Sequence, residues 1–322
     1  MTMRIYTLTL ALLFLAASSP AQFVTFKNGD RWEVNNPFKL DEKARPPRPI
    51  IDPSKATFDN TFEKIERKTV SGGIEMSTTK KMTEAILIEW PVIQPMVEAK
   101  NLILRGESSK ALETIEPVLK TFSSVKTVRG SPWIKAAAIK LDALDRLDND
   151  AALSTFLDTL DKVDDGSSPE LTNKIKLAKL LLQARKGDHA GVITATTTLI
   201  PQMDDPDVLA RLHLLKGASL LALKKYEDAM NTYLRVPVFY GSQQEHLPKA
   251  LLGAAKAFRG MDSPATRSLK LEEVSNRYLT ELIATFPVSK EAEEAKKLLP
   301  KEDRVAAEAT QGAIQETPPV SQ

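Results

Sequence analysis

The chain has 322 residues, with 44 Lys and Arg against 42 Asp and Glu for a formal charge of +2. That balance leaves no domain-wide basic field, so neither nucleic acid nor an anionic membrane surface is an expected partner. Cysteine is absent, which excludes a disulfide framework, thiolate metal sites, a cysteine nucleophile and an acylated lipoprotein cysteine.

Arg4 precedes an apolar stretch of 13 residues, Ile5 to Ala17, and Ser19-Pro20-Ala21 puts small residues before a cut at Gln22. A bilayer span takes about 20 apolar residues. Residues 1–21 are therefore expected to be a cleaved signal peptide, leaving an exported chain with no membrane insertion. Residues 22–90 carry strand signals. FVTFKNGDRWEV (23 to 34) predicts a hairpin around Asn28-Gly29, with Phe23 opposite Val34 and Thr25 opposite Trp32 if the turn has two residues. The proline-dense ARPPRPIIDP (44 to 53) is unsuited to a helix or a central strand. A second hairpin is expected over 62–79 around Gly72-Gly73, with a further strand at 85–90. So few short strands make a small β-module that needs something to pack on.

From residue 91 to about 300 the apolar residues recur at three- and four-residue spacing, and only 13 glycines accompany abundant Ala and Leu. Ser131-Pro132, Ser168-Pro169 and Asp205-Pro206 place a capping residue before proline, the favoured order at a helix start, and Leu247-Pro248 is a weaker one. Residues 301–322 have little to bury and are expected to be disordered.

The turns after these helices show a repeat. Small residues stand in pairs 12 apart at Ala99 and Ala111, Ala178 and Ala190, and Gly217 and Ala229. Ala152 occupies the second unit without its small partner. The alanines 111, 152, 190 and 229 are separated by 41, 38 and 39 residues. Two antiparallel helices cross most closely where both present a small side chain, and larger residues, here Leu220, Tyr226 and Tyr233, fill the flanking space. Hairpins that cannot cover their own apolar faces stack on one another.

The stretch LHLLKGASLLALKKYEDAMNTYLRV resembles a tetratricopeptide repeat, through Gly217, Tyr226, Ala229 and Tyr233. The other units keep the small pairs and lose the aromatics, with Ile115 and Thr194 at the place of Tyr233. The period exceeds the family's usual ~34 residues. A fifth unit, with an insertion around Arg259 to Ser268, ends in TFPVSKEAEEA, which is similar to repeat junctions of exported bacterial envelope proteins of this type. The resemblance implies a mainly α fold: a right-handed α-solenoid of about five helical hairpins after a small N-terminal β-module.

Catalytic and metal motifs are not evident. His189, His213 and His246 share no metal-ligand spacing, and there is no P-loop, G-x-G-x-x-G or G-x-S-x-G. The carboxylates of 157–166 and 290–303 read as solvated helix faces, and Asp164-Asp165-Gly166 lacks the spacing of a calcium loop. Trp90 and Trp133 are expected to seal helical junctions. No catalytic, cofactor-binding or metal residue is assigned and no cofactor is implied. The expected function is non-enzymatic: an interaction scaffold of the bacterial periplasm or cell envelope, holding a protein or peptide on the face lined by the first helix of each hairpin. The alternative is an accessory subunit of a cell-wall or polysaccharide-processing system, with the β-module as recognition element.

Overall fold

The computed structural model describes residues 22–304, except 37–39, 42, 44, 46–47, 91–92, 164–165, 167, 263–264, 267–268 and 302. The expected signal peptide, most of the expected disordered tail and the Asp164-Asp165 pair lie outside the described residues. Residues 301, 303 and 304, read as tail, are helical instead, and Asn276 Nδ2 donates to Asp303 at 3.1 Å. Main-chain contacts divide the chain into two compact units. A β-rich unit runs to Val97 and takes in Val118–Trp133, and a helical unit holds Glu98–Pro117 and everything from Ile134 onwards.

The strands of the β-rich unit are β1 (Phe23–Phe26), β2 (Arg31–Glu33), β3 (Leu40–Asp41), β4 (Arg48–Pro49), β5 (Thr57–Phe58), β6 (Lys64–Ser71), β7 (Ile74–Lys81) and β8 (Ala85–Glu89). Among the described residues they form three small antiparallel sheets, ordered β2-β1-β8, β3-β4 and β5-β6-β7. Among its described residues the proline-dense stretch contributes only the two-residue β4, as befits prolines that lack a donor.

The first hairpin forms in a different register from the one expected. Val24 pairs with Trp32 and Phe23 with Glu33. Gly29, at φ +88°, donates its N–H to the Phe26 carbonyl at 2.9 Å, so Lys27-Asn28-Gly29 is a three-residue loop. One extra loop residue shifts the pairing by one, so β1 turns its alternate side chains to the face that carries Trp32 and Val34. Val24, Phe26, Trp32 and Val34 are therefore the buried set, while Phe23 and Thr25 are only half-buried. The second hairpin keeps its expected place, with Gly72 and Gly73 at φ +60° and +81° between Ser71 and Ile74.

Residues 118–133 complete this unit's core. The Phe122 ring lies 5.2 Å from Phe62 and 5.5 Å from Trp90, and Phe58 lies 5.7 Å from Trp90. Ser124 Oγ donates to the Phe62 carbonyl at 2.7 Å, and the Ile88 N–H donates to the Arg129 carbonyl at 2.9 Å. Trp90 and Trp133 are both buried. Asn35, also buried, receives the Asp52 N–H at 2.8 Å and donates to the Asp52 carbonyl and Thr57 Oγ1 at 3.0 Å, pinning the loop after β4.

Among the described residues eleven α-helices follow: α1 (Gln94–Leu104), α2 (Ser108–Thr121), α3 (Pro132–Arg146), α4 (Asp150–Leu160), α5 (Pro169–Arg185), α6 (His189–Leu199), α7 (Pro206–Ala222), α8 (Tyr226–Phe239), α9 (Leu247–Met261), α10 (Leu271–Thr285) and α11 (Lys290–Leu298). Each Ser/Asp-Pro pair starts a helix. Asp205 accepts from the Asp207 and Val208 N–H groups, and Ser131 Oγ from the Trp133 N–H. The helix that holds Arg259 is longer than expected, since α9 runs to Met261 and the insertion spans 262–270. Arg259 donates to Ser275 Oγ at 3.2 Å and Asn276 Oδ1 at 2.8 Å, tying α9 to α10.

Four turns within hairpins share one backbone device. Two residues before α2, α4, α6 and α8 stand Gly106, Asp148, Gly187 and Lys224, all at positive φ between 51° and 89°. At Gly106, Gly187 and Lys224 two back-bonds close the preceding helix, as when Lys224 N–H reaches the Leu221 carbonyl at 3.0 Å and Lys225 N–H the Leu220 carbonyl at 2.9 Å. The helices then pack in chain order from α4 to α11, and α5 also touches α7, α7 touches α9, and α9 touches α11.

Candidate functional site

The repeat register decides which side chains pack and which remain for function. Three residues into α2, α4, α6 and α8 stand Ala111, Leu153, Val192 and Ala229, and all four are fully buried. They are spaced 42, 39 and 37 residues apart. Ala152 is half-buried and Ala190 exposed, so the buried position in those two units falls on Leu153 and Val192 instead. The repeat spacing favours small residues, whereas the buried position in this register also carries the larger Leu153 and Val192. Ala99 and Ala178 are buried in first helices, as is Gly217.

In the best-matching unit, aromatic rings press on glycines. A Cβ added to Gly217 would stand 3.1 Å from the Tyr233 ring, one on Gly253 would stand 2.3 Å from it, and one on Gly260 would stand 2.3 Å from Tyr226. Leu220, Ala229, Tyr233, Ala254 and Ala257 make one buried cluster. Burial pushes the Tyr233 phenol well above its ordinary value. Both tyrosines are packing residues.

On the side where first helices meet, an ionic seam joins α3, α5 and α7. Arg211 Nη1 donates to Asp142 Oδ1 at 2.6 Å and its Nη2 to Asp145 Oδ2 at 2.8 Å, while Lys174 pairs with the other Asp142 oxygen. Arg185 bonds Asp145, Asp148 and Asp150, and Arg146 meets Glu245 at 2.5 Å. Burial alone would raise the Asp142 carboxyl, but Arg211 and Lys174 outweigh it and hold the group below its ordinary value. Burial works against Asp207 too, and the His246 hydrogen bond (2.7 Å) with Arg211 brings it down to about 2. Asp207, Glu245 and His246 also offer ligand atoms within 4.8 Å of one another. Their carboxylates already face Arg211 and Arg146, so the group reads as the end of the seam.

A cleft of about 440 Å³ opens on the other side of α7, between α6, the 3-10 turn Ile200–Gln202 and α8. His213, Lys216 and Arg235 line it beside Ile193, Ile200 and Leu220. His213 is buried, its Nδ1 lacks a hydrogen-bond partner, and its ring lies 5.6 Å from Tyr240. Burial draws its imidazole down to about 4, with Arg235 and Lys216 pulling the same way. Burial and Arg235 also lower the Lys216 ammonium.

Sequence reading missed both places. The seam's pairs join residues 32 to 99 positions apart, so no motif spacing marks them; the available signal is Arg211 inside the leucine-rich LARLHLL. Lys216 and Arg235 lie on different helices and converge only through the α7–α8 hairpin. The expected solvated carboxylates are paired at the surface, as in Lys179–Asp161 at 2.7 Å and Lys296–Glu293 at 2.8 Å. In the β-rich unit the ribbon of β6 and β7 exposes Val70, Ile74 and Met76. Among the described residues no helix is long and apolar enough to cross a membrane.

The fold and sites define a mainly helical chain of consecutively packed helices that follow small antiparallel β-sheets in sequence. No protein-family model matches the chain, and no curated protein matches its sequence.

Proposed function

We propose that the protein is a non-enzymatic interaction scaffold exported to the bacterial periplasm or cell envelope, built as a right-handed solenoid of tetratricopeptide-like hairpins. The observation carrying this reading is the alternation of contacts, in which first helices α5, α7, α9 and α11 touch in succession. Such stacking lays one helix of each of these units along a shared side, the arrangement by which repeat arrays present an extended binding surface. The resemblance around Gly217 and Tyr233 and the leader pattern of residues 1–21 support the family and the compartment. The seam of Asp142, Lys174, Arg211 and Asp145 holds its charges in fixed geometry, and preorganisation lowers the entropy cost of docking an extended segment. Chemical crosslinking in intact cells followed by purification of the chain tests this reading. It predicts one protein recovered in fixed proportion, and turnover of glycan or peptide substrates by the pure chain would contradict it.

A further inference from the structure

The cleft between α6, α7 and α8 has the composition of a binding site, and it takes a different face of α7 from the seam. Lys216, Lys225 and Arg235 line it against the single carboxylate Asp228. Among the described residues none of these three cations forms an ion pair. The seam on the other side of α7 shows the contrast, for there Arg211 is matched by Asp142 and Asp145. Gathering like charges around a partly desolvated spot opposes folding unless an anion joins them. His213 adds a second, independent mark: it is buried, it lines the same cleft, and its Nδ1 has no partner. An unmet buried polar atom costs stability that a ligand's oxygen would restore. Ile193, Ile200 and Leu220 form an apolar part of the wall, beside the uncharged polar Thr197, Asn231 and Thr232. Cationic residues beside an apolar wall fit a ligand with a charged end and a short hydrocarbon stem, and the volume lies within the range of small-molecule sites.

We propose that this cleft binds a small organic anion, a phosphate or carboxylate head on a short apolar stem, with Lys216 and Arg235 holding the head, His213 bonding it, and Ile193, Ile200 and Leu220 covering the stem. The site goes beyond the scaffold reading and stands whether or not a protein partner is found.

The test uses the purified protein with hexyl phosphate, hexanoate and the uncharged hexanol, followed by calorimetric titration. At least one of the two anions binds ten or more times tighter than hexanol, and Lys216→Gln and Arg235→Gln each weaken that binding at least tenfold. Proton NMR gives a readout that does not depend on the variants. The chain has three histidines, and on adding the anion the His213 ring resonance shifts while those of His189 and His246 stay put. Hexanol binding as tightly as both anions, affinity unchanged within twofold in both variants, or an unmoved His213 resonance at saturating anion would overturn the proposal.

Discussion

The ring of Tyr233 lies against Gly253 so closely that a Cβ on the glycine would stand 2.3 Å from the tyrosine Cζ. Gly217 meets the same ring at a looser 3.1 Å. A contact under 3 Å forces backbone or ring to move, since neither is a flexible side-chain end, and overpacking of this kind costs ~1–3 kcal/mol. Gly253→Ala should therefore fall at the upper end, and Gly217→Ala nearer ~1 kcal/mol, both read from urea unfolding. Adding Tyr233→Leu to Gly253→Ala should cost less than the sum of the two single changes, because they share one contact. Strict additivity would show that the ring is not what excludes the methyl group.

The ionic seam predicts a second cost. Asp142→Ala leaves Arg211 and Lys174 short of a shared carboxylate in a partly buried place. Removing one partner of such a set destabilises by about 3 kcal/mol. The exposed pair Lys68–Glu75, by contrast, should contribute little, because water screens it. Equal losses at the two places would deny the seam any structural weight.

Two groups divide the acid response between them. Folding lowers the His213 value from 6.5 to about 4, so the unfolded chain takes up this proton first. Its neutral form supports the fold fully above pH 6.5, and that support drains away as the pH falls towards 4, at up to ~1.4 kcal/mol per pH unit. Asp207 has its folded value lowered from 3.8 to about 2, so its contribution is present above 3.8 and lost as the pH falls through 2. Urea unfolding across this range should show both steps. His213→Gln should remove the upper step and leave the lower one.

The left-handed turn positions make an opposite, stabilising prediction. Lys224 adopts φ +59° where the matching turns carry Gly106 and Gly187. An L-residue there is strained by ~1–2 kcal/mol, partly offset by the extra freedom glycine gains on unfolding. Lys224→Gly should raise stability by ~0.5–1 kcal/mol and Gly187→Ala should lower it, measured as shifts in thermal midpoint.

Much of the fold was legible because it rests on local signals. Asp205-Pro206 starts α7, Gly72-Gly73 turns β6 into β7, and Tyr226 opens α8. What the residues did not disclose depends on counts and distances that pattern hides. The first hairpin slipped by one because Asn-Gly fits a two- or a three-residue loop, and only burial of Val24 and Phe26 against β8 chooses between them. The buried positions are Leu153 and Val192 rather than Ala152 and Ala190, because small size alone does not mark burial. Counting from the left-handed turn residue would have found them, since Gly106, Asp148, Gly187 and Lys224 each precede the buried position by five. The candidate sites were the least legible part. Asp142 with Arg211, and Lys216 with Arg235, meet only after helices far apart in sequence, or facing one another across a turn, are packed.

The central claim is that the side lined by first helices receives a protein partner. Site-specific photocrosslinking in the native cell tests it most directly. Probes replace the exposed Lys135 and Ala218, seven residues from Asp142 and Arg211 on the same helix faces, with Thr155 and Thr194 on second helices as controls. The account predicts one discrete protein adduct from the first pair and none from the controls. Adducts from the controls alone, or from no position at all, would contradict it.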